Sequence, residues 1–266
     1  MQHLKVARFS KAGAYLVDEN KNEVLLPNRY ITDEVIIDSL VWVFVYSDSE
    51  DRLVAITTMP KGFVGDILPL EIVDIVENGA YLDLGIPKDL FMPSKNPASL
   101  KIGQKIVIKL TLDKQNRLIA RQNLASYLEK LSANSKIKNV DILPFLKTPL
   151  GFNCVVNNKY FGIIHNNDIN LKINIGEHIK GVIKKIRQDG KADLALVADM
   201  NLIKKMIVDK IRDSALKLNF DSSSKEIFEI LGISKKLFKT ATNSLIKENK
   251  AQFIKDSNGS FVLHKI

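Results

Sequence analysis

The chain has few of the residues that mark several common classes of protein. Cys154 is the one cysteine among 266 residues, which excludes a disulfide framework and a cysteine-based zinc site. The histidines are scattered without the spacing of metal ligands, at His3, His165, His178 and His264. We therefore predict that the protein uses no metal and no other cofactor.

Long apolar segments are also missing. The longest apolar run, residues 40–46, is far shorter than the roughly 20 residues that span a bilayer as a helix. The N-terminus carries Lys5 and Arg8 but no apolar core or cleavage site of a signal peptide. Because 45% of the residues are hydrophobic, which is enough for ordinary cores, we expect a soluble cytoplasmic protein without a membrane partner.

The signatures of common enzymes are absent as well. A metal-dependent ribonuclease needs clustered acidic residues that hold two metal ions, whereas Asp66, Glu71 and Asp74 are spread irregularly along a predicted strand. The sequence has no Ser-His-Asp or Cys-His arrangement and no phosphate-binding glycine loop. We predict that the protein is not an enzyme.

Positive charge is concentrated in the second half of the chain. Residues 1–62 have a net charge of −2 and residues 63–135 of +1, whereas residues 136–199 have +4 and residues 200–266 have +6. A basic half suits a polyanionic partner such as nucleic acid. The alternative is a lysine-rich surface that only keeps the protein in solution.

One short pattern occurs three times. In each copy a glycine opens a strand-like segment, and a second such segment ends fourteen positions after the glycine. The copies run from Gly13-Ala14-Tyr15 to Pro27, from Gly79-Ala80-Tyr81 to Pro93, and from Gly151-Phe152-Asn153 to His165. An internal repeat of this kind predicts three copies of one small β module.

Each copy lies within a set of five predicted strands. After the glycine of the second copy, Ala80 and Leu82 face the core and Tyr81 faces outward, with the period of a half-buried strand. Five strands in about 65 residues fit a small closed barrel better than a sandwich of about 100 residues. We predict a multidomain, mainly β chain with three five-stranded OB-fold barrels, at residues 1–62, 63–135 and 136–199.

The pattern becomes helical after residue 199. An apolar stripe predicts a first helix, through Ile203, Ile207, Ile211, Ala215 and Leu218. Ser223 with Glu226 forms a capping box for a second helix, which Gly232 ends, and Ser234 caps a third helix that runs to about Lys250. A terminal hairpin follows, with its turn at residues 256–259. These elements predict an α+β winged-helix domain at residues 200–266.

The third helix presents a polar face in this prediction. Its exposed positions are Lys235, Lys236, Lys239, Thr242, Asn243 and Lys247. In helix-turn-helix proteins the corresponding helix reads the major groove. No arginine is present for bidentate guanine recognition, so we favour phosphate contact without sequence reading, or a solvated lysine face on a helix that contacts protein.

The repeat resembles a known family. A glycine, a small residue and an aromatic residue, followed by a Gly-Ile-Ile-His strand, are similar to the RNA-binding OB domain of ribosomal protein S1. In that domain the aromatic residue and the histidine touch RNA, which implies the same roles for Tyr15, Tyr81 and His165. Pro27 and Pro93 replace the histidine in the first two copies, and Asn153 replaces the aromatic residue in the third.

The domain order extends the resemblance to most of the chain. Three S1-like modules followed by a winged helix resemble the CvfB (conserved virulence factor B) family, most clearly at GAYLVD to VLLPN and at VENGAYLDLGIPKDLFMPS. Members of that family are cytoplasmic bacterial RNA-binding regulators without catalytic activity. The resemblance therefore implies a regulator of gene expression with single-stranded RNA as its partner.

We predict an RNA-binding surface on the outward face of the second and third strands of each module. Bases would stack on Tyr15, Tyr81 and Phe91, with His165 as the contact of the third module. Cations near the strand ends would meet phosphates, at Arg8, Arg29, Arg52, Lys88, Lys95, Arg117, Arg121, Lys159, Lys184 and Lys185. On the winged helix the predicted nucleic-acid contacts are Lys235, Lys236, Lys239 and Lys247.

Several of these residues have a purely structural alternative. An outward tyrosine is also a good strand former, Phe91 could seal a domain interface, and His165 could cap a strand. Phe152 falls on the core side of its strand. Trp42 lies in a strongly apolar strand, so we expect it in the core or in a contact between domains.

A second function fits the same domains. The protein could be a DNA-binding transcription regulator that holds duplex nucleic acid with its winged helix and uses the OB modules to contact proteins. Competition between duplex DNA and single-stranded RNA separates the two hypotheses. The sequence predicts no oligomeric state.

Overall fold

The structure is a computed structural model that describes residues 1–213, 218–255 and 261–266. The chain forms two compact units, Met1–Tyr127 and Leu128–Ile266. Within the described ranges, no helix is long and apolar enough to cross a membrane. Ala215 and the predicted hairpin turn at residues 256–259 lie outside the described residues.

Five strands close into a first barrel: β1 (Gln2–Phe9), β2 (Gly13–Val17), β3 (Glu23–Pro27), β4 (Leu40–Ser47) and β5 (Leu53–Ile56). Their order around the barrel is β1-β2-β3-β5-β4, and β3 and β5 are parallel. Ala14, Leu16 and Leu26 are fully buried in its core. Alternation therefore turns Tyr15 outward, where it is half-buried.

The second set of strands repeats this arrangement: β6 (Ile67–Val76), β7 (Gly79–Leu82), β8 (Leu90–Pro93), β9 (Lys105–Leu112) and β10 (Leu118–Arg121). The order β10-β9-β6-β7-β8 is that of the first barrel, cut between β8 and β10. These two strands still lie side by side, although no hydrogen-bonded ladder joins them. Ala80, Leu82 and Met92 are fully buried, which confirms the predicted core face.

The third barrel is again closed: β11 (Asn139–Thr148), β12 (Gly151–Val156), β13 (Tyr160–His165), β14 (Ile179–Ile186) and β15 (Ala192–Leu196). Phe152 is buried, as predicted. Cys154 is fully buried, and this burial raises the pKa of its thiol to about 12. The thiol is therefore un-ionised and a poor nucleophile at neutral pH.

The segment before β11 packs on the third barrel. Glu129 forms a parallel bridge with Tyr160, and the amide of Leu131 donates to the carbonyl of Gly190 at 2.8 Å. Leu131 is buried in the core of that barrel. The predicted division at residues 135/136 places this segment in the second module, whereas Leu131 supplies apolar surface to the core of the third barrel.

The three repeated glycines share one geometric role. Each lies directly opposite the last residue of the next strand, in the pairs Gly13 with Pro27, Gly79 with Pro93, and Gly151 with His165. A Cβ atom at these glycines would lie 2.0, 2.2 and 1.9 Å from the carbonyl oxygen one residue earlier on that strand. The close approach of the two backbones leaves no room for a side chain, which explains why glycine opens every copy.

The C-terminal elements are α1 (Met200–Asp213), α2 (Ser224–Leu231), α3 (Lys235–Lys247), β16 (Ala251–Lys255) and β17 (Phe261–Lys265). Ser223 caps α2 by accepting from the amide of Glu226 at 3.1 Å, and Ser234 caps α3 in the same way. Gly232 ends α2 with φ of 66°. These caps confirm both predicted ends of α2 and the predicted start of α3, whereas α3 ends at Lys247 rather than near Lys250. The three OB-like barrels and the winged helix that follows them confirm the predicted fold.

The third barrel is attached to the turn between α2 and α3. Leu171 and Ile233 form an antiparallel bridge. The amide of Lys172 donates to the carbonyl of Gly232 at 2.6 Å, and the amide of Ser234 donates to the carbonyl of Asn170 at 2.9 Å. These backbone bonds fix the start of α3 to the barrel.

Two side chains differ from their predicted environment. Thr242 was predicted to be exposed on α3 but is fully buried, because it lies four residues after the core residue Phe238 on the same helix face. Trp42 was expected to be covered but is 46% exposed and contacts the ring of His3. The neighbouring Val43 faces the core, so alternation along β4 turns Trp42 outward.

We expect the C-terminal unit to lose stability as the pH falls from about 4.5 to about 2. The Glu248 carboxylate, after the end of α3, binds Lys204 of α1, Lys250 and the hydroxyl of Ser244. These hydrogen bonds lower the pKa of Glu248 from 4.5 to about 2. Since a lowered carboxylate pKa stabilises the fold only while the group stays ionised, protonation removes the contribution.

Acid titration of the helical circular dichroism tests this expectation in Glu248→Gln. The variant should lose part of the dependence between these pH values, whereas the control Glu229→Gln should not, because the ion pair of Glu229 with Lys225, at 3.9 Å, is exposed. Identical acid transitions in the wild type and Glu248→Gln would contradict the assignment.

Candidate nucleic-acid interface

The outward face of the first three strands is built alike in each barrel. Residues that are directly opposite on neighbouring strands project to the same side of the sheet. In chain order of the strands, the three rows are Arg8, Tyr15 and Leu25 in the first barrel, Asp74, Tyr81 and Phe91 in the second, and Leu146, Asn153 and Ile163 in the third. The barrels therefore share a fold but present different chemistry at the same place.

The second barrel has an aromatic pair on this face. The ring centroids of Tyr81 and Phe91 lie 5.5 Å apart at an angle of 52°. Both side chains are half-buried, so part of each ring stays open to solvent. Half-exposed aromatic rings on a sheet are the platforms on which unpaired bases stack.

A groove continues from this pair. Pro93 lines it and lies two residues after Phe91, on the same side of β8. The groove has a volume of about 730 Å³. Its other walls come from the loop after β8 and the segment after β10: Ser94, Lys95, Asn96, Ser99, Arg121, Gln122, Asn123, Ser126 and Tyr127.

Two of the predicted phosphate contacts meet in this groove. Lys95 and Arg121 both line it, both are exposed, and neither forms an ion pair within the described part of the chain. Tyr127 adds a ring that is 43% exposed. The sequence analysis missed Tyr127 because it lies outside the repeated pattern. The signal that could have found it is its position six residues after the predicted phosphate contact Arg121.

The aromatic residue of the first barrel is covered by its own neighbour. The guanidinium of Arg8 lies 3.7 Å from the ring centroid of Tyr15, in a cation–π contact. Glu23 holds it there through an ion pair of 2.7 Å, which raises the pKa of Arg8. A base could reach the ring of Tyr15 only by displacing Arg8, or it could stack on the guanidinium instead.

Two further predicted cations belong to a turn that occurs twice. In residues 48–52 and 113–117 an aspartate accepts from two amides of its own turn and binds an arginine four residues later, in the pairs Asp48 with Arg52 and Asp113 with Arg117. The amide hydrogen bonds and the arginine lower the pKa of both aspartates. Arg52 and Arg117 therefore stabilise hairpins as well as carrying charge.

Other predicted contacts of the N-terminal unit have structural partners too. Lys88 donates to the carbonyl of Asp48 at 2.7 Å and so links the second barrel to the first. Arg29 is exposed and lies over the ring of Tyr30, with 4.9 Å to the centroid. Neither side chain lies in the groove.

His165 of the third barrel is held in a polar cluster. Its Nε2 lies 2.9 Å from Oδ1 of Asp193 and 2.8 Å from the guanidinium of Arg187. Although partial burial opposes the shift, hydrogen bonds from Arg187 and His165 lower the pKa of Asp193. Arg187 was missed from the sequence because its partners lie on other strands.

The predicted lysines of the third barrel differ in whether they have a carboxylate partner. Lys159 pairs with Glu129 at 3.3 Å, and Lys184 pairs with Asp168 at 2.6 Å. Lys185 is exposed and has no ion-pair partner among the residues that the structure describes. At the repeat positions this barrel carries Asn153 and His165 rather than an aromatic residue. Its half-buried aromatic pair, Phe145 with Phe161, lies at other positions, with ring centroids 6.0 Å apart.

The lysines of α3 also divide into two groups. Lys235 donates to the carbonyl of Asp221 at 3.4 Å, and Lys239 lies 5.7 Å from the ring centroid of Phe220. Lys236 and Lys247 are exposed, and within the described ranges they have no carboxylate partner. These two are the residues of α3 most open to a phosphate.

No cluster suited to metal binding occurs among the described residues, since no three His, Cys, Asp or Glu side chains come together.

The candidate interface is the face of the second barrel, where an aromatic pair lies next to a groove with two cations. It is formed by Tyr81, Phe91, Lys95, Arg121 and Tyr127. The remaining predicted contacts lie on other modules or in structural pairs.

Two family models match the chain. Residues 1–58 match the S1 domain, and residues 202–259 match the CvfB-like winged helix domain. Both are nucleic-acid-binding domains, so the fold and the site define a multidomain nucleic-acid-binding protein. The predicted resemblance to an S1 domain is confirmed at residues 1–58, and the predicted resemblance to the CvfB family is confirmed in the C-terminal domain.

Individual relatives extend this comparison over most of the length. The chain is similar to the uncharacterized protein YitL of Bacillus subtilis (strain 168), with 23% identity over 260 residues that cover 89% of this chain and 85% of YitL. It is also similar to the crystal structure of a multidomain protein with nucleic acid binding domains from Streptococcus pneumoniae TIGR4, at 17% identity and over 100% of this chain and 97% of that one. The TM-score of 0.46 for that pair does not establish equivalent positions.

Proposed function

We propose that this protein is a non-catalytic bacterial regulator that acts in the cytoplasm and affects gene expression by holding single-stranded RNA. The observation that carries the proposal is the joining of the Tyr81–Phe91 pair to a groove with two unpaired cations, Lys95 and Arg121. Stacking on the rings and neutralisation of phosphates are the two contributions by which OB surfaces hold single strands.

The geometry favours a single strand over a duplex. A base can lie on Tyr81 or Phe91 only when it is not stacked between its own neighbours, as in single-stranded RNA. Phosphates that follow such a base can reach the groove, because Pro93 connects the aromatic pair to Lys95 along the chain. Affinity from one barrel alone should be modest, and linkage to the basic C-terminal unit raises it through effective concentration.

One titration tests the proposal. Labelled single-stranded RNA and duplex DNA of equal length are added to the full chain at two salt concentrations. We expect tighter binding of the RNA at both, with an affinity that falls as the salt concentration rises. Preferential binding of the duplex would overturn the proposal.

Replacing Lys95 and Arg121 together by alanine should reduce the salt dependence of RNA binding. Each phosphate contact with a single strand contributes about 0.7 to the slope of log K against log salt, so losing two should reduce the slope by about 1.4. Fluorescence anisotropy with a labelled oligonucleotide at several salt concentrations measures this slope.

The matched control is Lys105→Ala with Lys114→Ala. Both lysines are exposed on the same barrel, outside the groove, so the double variant has the same net charge. An equal change of slope in the two variants would show that overall charge, and not the groove, sets the salt dependence.

A second candidate function is supported by α3. Lys236 and Lys247 are exposed without carboxylate partners among the described residues, and the domain matches a winged-helix model. A DNA-binding transcription regulator would use these lysines on duplex phosphates, with the barrels as protein-contact units. The competition between duplex DNA and single-stranded RNA decides between the two functions.

A further inference from the structure

The residue beside the aromatic position differs sharply among the barrels. The position on the first strand is Arg8 in the first barrel, Asp74 in the second and Leu146 in the third. In the second barrel it is paired with Tyr81, which is paired in turn with Phe91. A carboxylate therefore stands beside the aromatic pair that is offered to a base.

Asp74 is open to a ligand. The β6–β7 ladder shifts register between Ile72 and Asp74, and this irregularity sets Asp74 opposite Tyr81. The residue is exposed, and its Oδ1 accepts from the amide of Ile75 at 2.8 Å. Its Oδ2 has no partner within the described part of the chain, and no lysine or arginine there pairs with the carboxylate.

The charges around the aromatic pair are separated. Lys95 and Arg121 lie in the groove beyond the end of β8, whereas Asp89 comes directly before that strand. Partial burial and the nearby carboxylates of Asp83 and Asp74 raise the pKa of Asp89. Phosphates would be attracted to the cationic end and repelled from the acidic end, which would leave the edge of a stacked base facing Asp74.

An ionised carboxylate only accepts hydrogen bonds. Guanine presents two adjacent donors on its Watson–Crick edge, the ring N1–H and the exocyclic amino group, which match the two oxygens of a carboxylate. Uracil presents one N–H between two carbonyl oxygens, and these oxygens are repelled by the negative charge. A carboxylate beside a stacking platform therefore discriminates between the two bases.

We propose that Asp74 makes the second barrel select guanine over uracil at the base that stacks on Tyr81 and Phe91. The inference rests on the proposed binding of single-stranded RNA. The first barrel cannot select in this way, because Arg8 has only donors. Leu146 of the third barrel offers no hydrogen bond at all.

The test compares two oligonucleotides, one of uridine only and one with a single guanosine at its centre. Wild-type full-length protein should bind the guanosine oligonucleotide at least about fivefold more tightly, as expected for one well-formed hydrogen-bonded base contact. In Asp74→Ala the ratio should fall to about one. The affinity of this variant for oligouridine should be equal or higher, because a charge that repels phosphate is gone.

Glu71→Ala is the matched control. Glu71 is exposed on the same strand, so this variant loses the same charge without touching the row of Asp74, Tyr81 and Phe91. It should keep the preference for guanosine. Circular dichroism confirms that both variants are folded.

The outcomes separate this inference from the proposed function. Failure of the wild type to bind either oligonucleotide would overturn the proposed function and the selection by Asp74 with it. Equal binding of the two oligonucleotides by the wild type, or a preference that survives in Asp74→Ala, would overturn only the selection by Asp74.

Discussion

Replacing Tyr81 and Phe91 together by alanine is expected to weaken the binding of single-stranded RNA by at least about thirtyfold. Each base stacked on an aromatic side chain contributes roughly 1–3 kcal/mol, and the double variant removes both rings of the platform. Because both side chains are only half-buried, the melting temperature should change little. Fluorescence anisotropy measures the affinity, and thermal unfolding measures the stability.

Trp42→Ala is the control for this experiment. Trp42 is an exposed aromatic residue of the N-terminal unit that lies on β4, outside the rows of the binding face. Its removal should leave RNA binding unchanged. Wild-type affinity in a folded Tyr81→Ala, Phe91→Ala double variant would mean that these rings only make cross-strand contacts.

Adding Tyr15→Ala to the double variant should have a smaller effect. The ring of Tyr15 is already covered by the guanidinium of Arg8, at 3.7 Å, and Glu23 holds that cation in place. The two tyrosines occupy the same position of the repeat, yet only Tyr81 has an aromatic partner on the next strand. Equal repeat positions therefore do not predict equal binding.

The parts of the fold that depend on local patterns could be predicted from the sequence. Alternation identified the buried Ala80, Leu82 and Met92, and the side-chain caps at Ser223 and Ser234 marked the helix starts. Such features depend on residues within one strand or one turn, where spacing alone determines which groups meet.

Errors arose where the type of residue was given more weight than its spacing. Thr242 is among the predicted exposed positions of α3 but is buried, since it lies four residues from Phe238 and four from Ile246 on a packed helix. The strongly apolar strand around Trp42 predicts a covered position, but Val43 faces the core and Trp42 is turned outward. In both cases the period of the element determined the side of the chain that was buried.

The candidate site required the three-dimensional structure. In the sequence Lys95 and Arg121 are two cations 26 positions apart. The fold brings them together in one groove with Tyr127. The sequence analysis also predicted Arg52 and Arg117 as phosphate contacts, although aspartates of their own turns bind them. Which cations are free to meet a ligand depends on contacts in the folded chain, and a local sequence pattern does not show these contacts.

Gly151→Ala is expected to disrupt the pairing of β12 with β13 and to destabilise the third barrel by more than about 2 kcal/mol. The new Cβ would lie 1.9 Å from the carbonyl oxygen of Ile164, which is a backbone atom and cannot rotate away. Relief requires the two strands to separate at the position where Gly151 faces His165. His165 would then move relative to Asp193, so the polar cluster should be lost along with the ladder.

Hydrogen exchange measured on peptides that cover residues 151–165 locates the effect, because a weakened ladder exposes its amides. Gly103→Ala is the control, since Gly103 has a φ of 78° but nothing within 4 Å of an added Cβ. It should cost only about 1–2 kcal/mol for the left-handed backbone conformation and leave exchange in the third barrel unchanged. Unchanged protection of residues 151–165 in Gly151→Ala would mean that the two backbones can move apart at little cost. The glycine at the start of each repeat would then reflect something other than the close approach of the second and third strands.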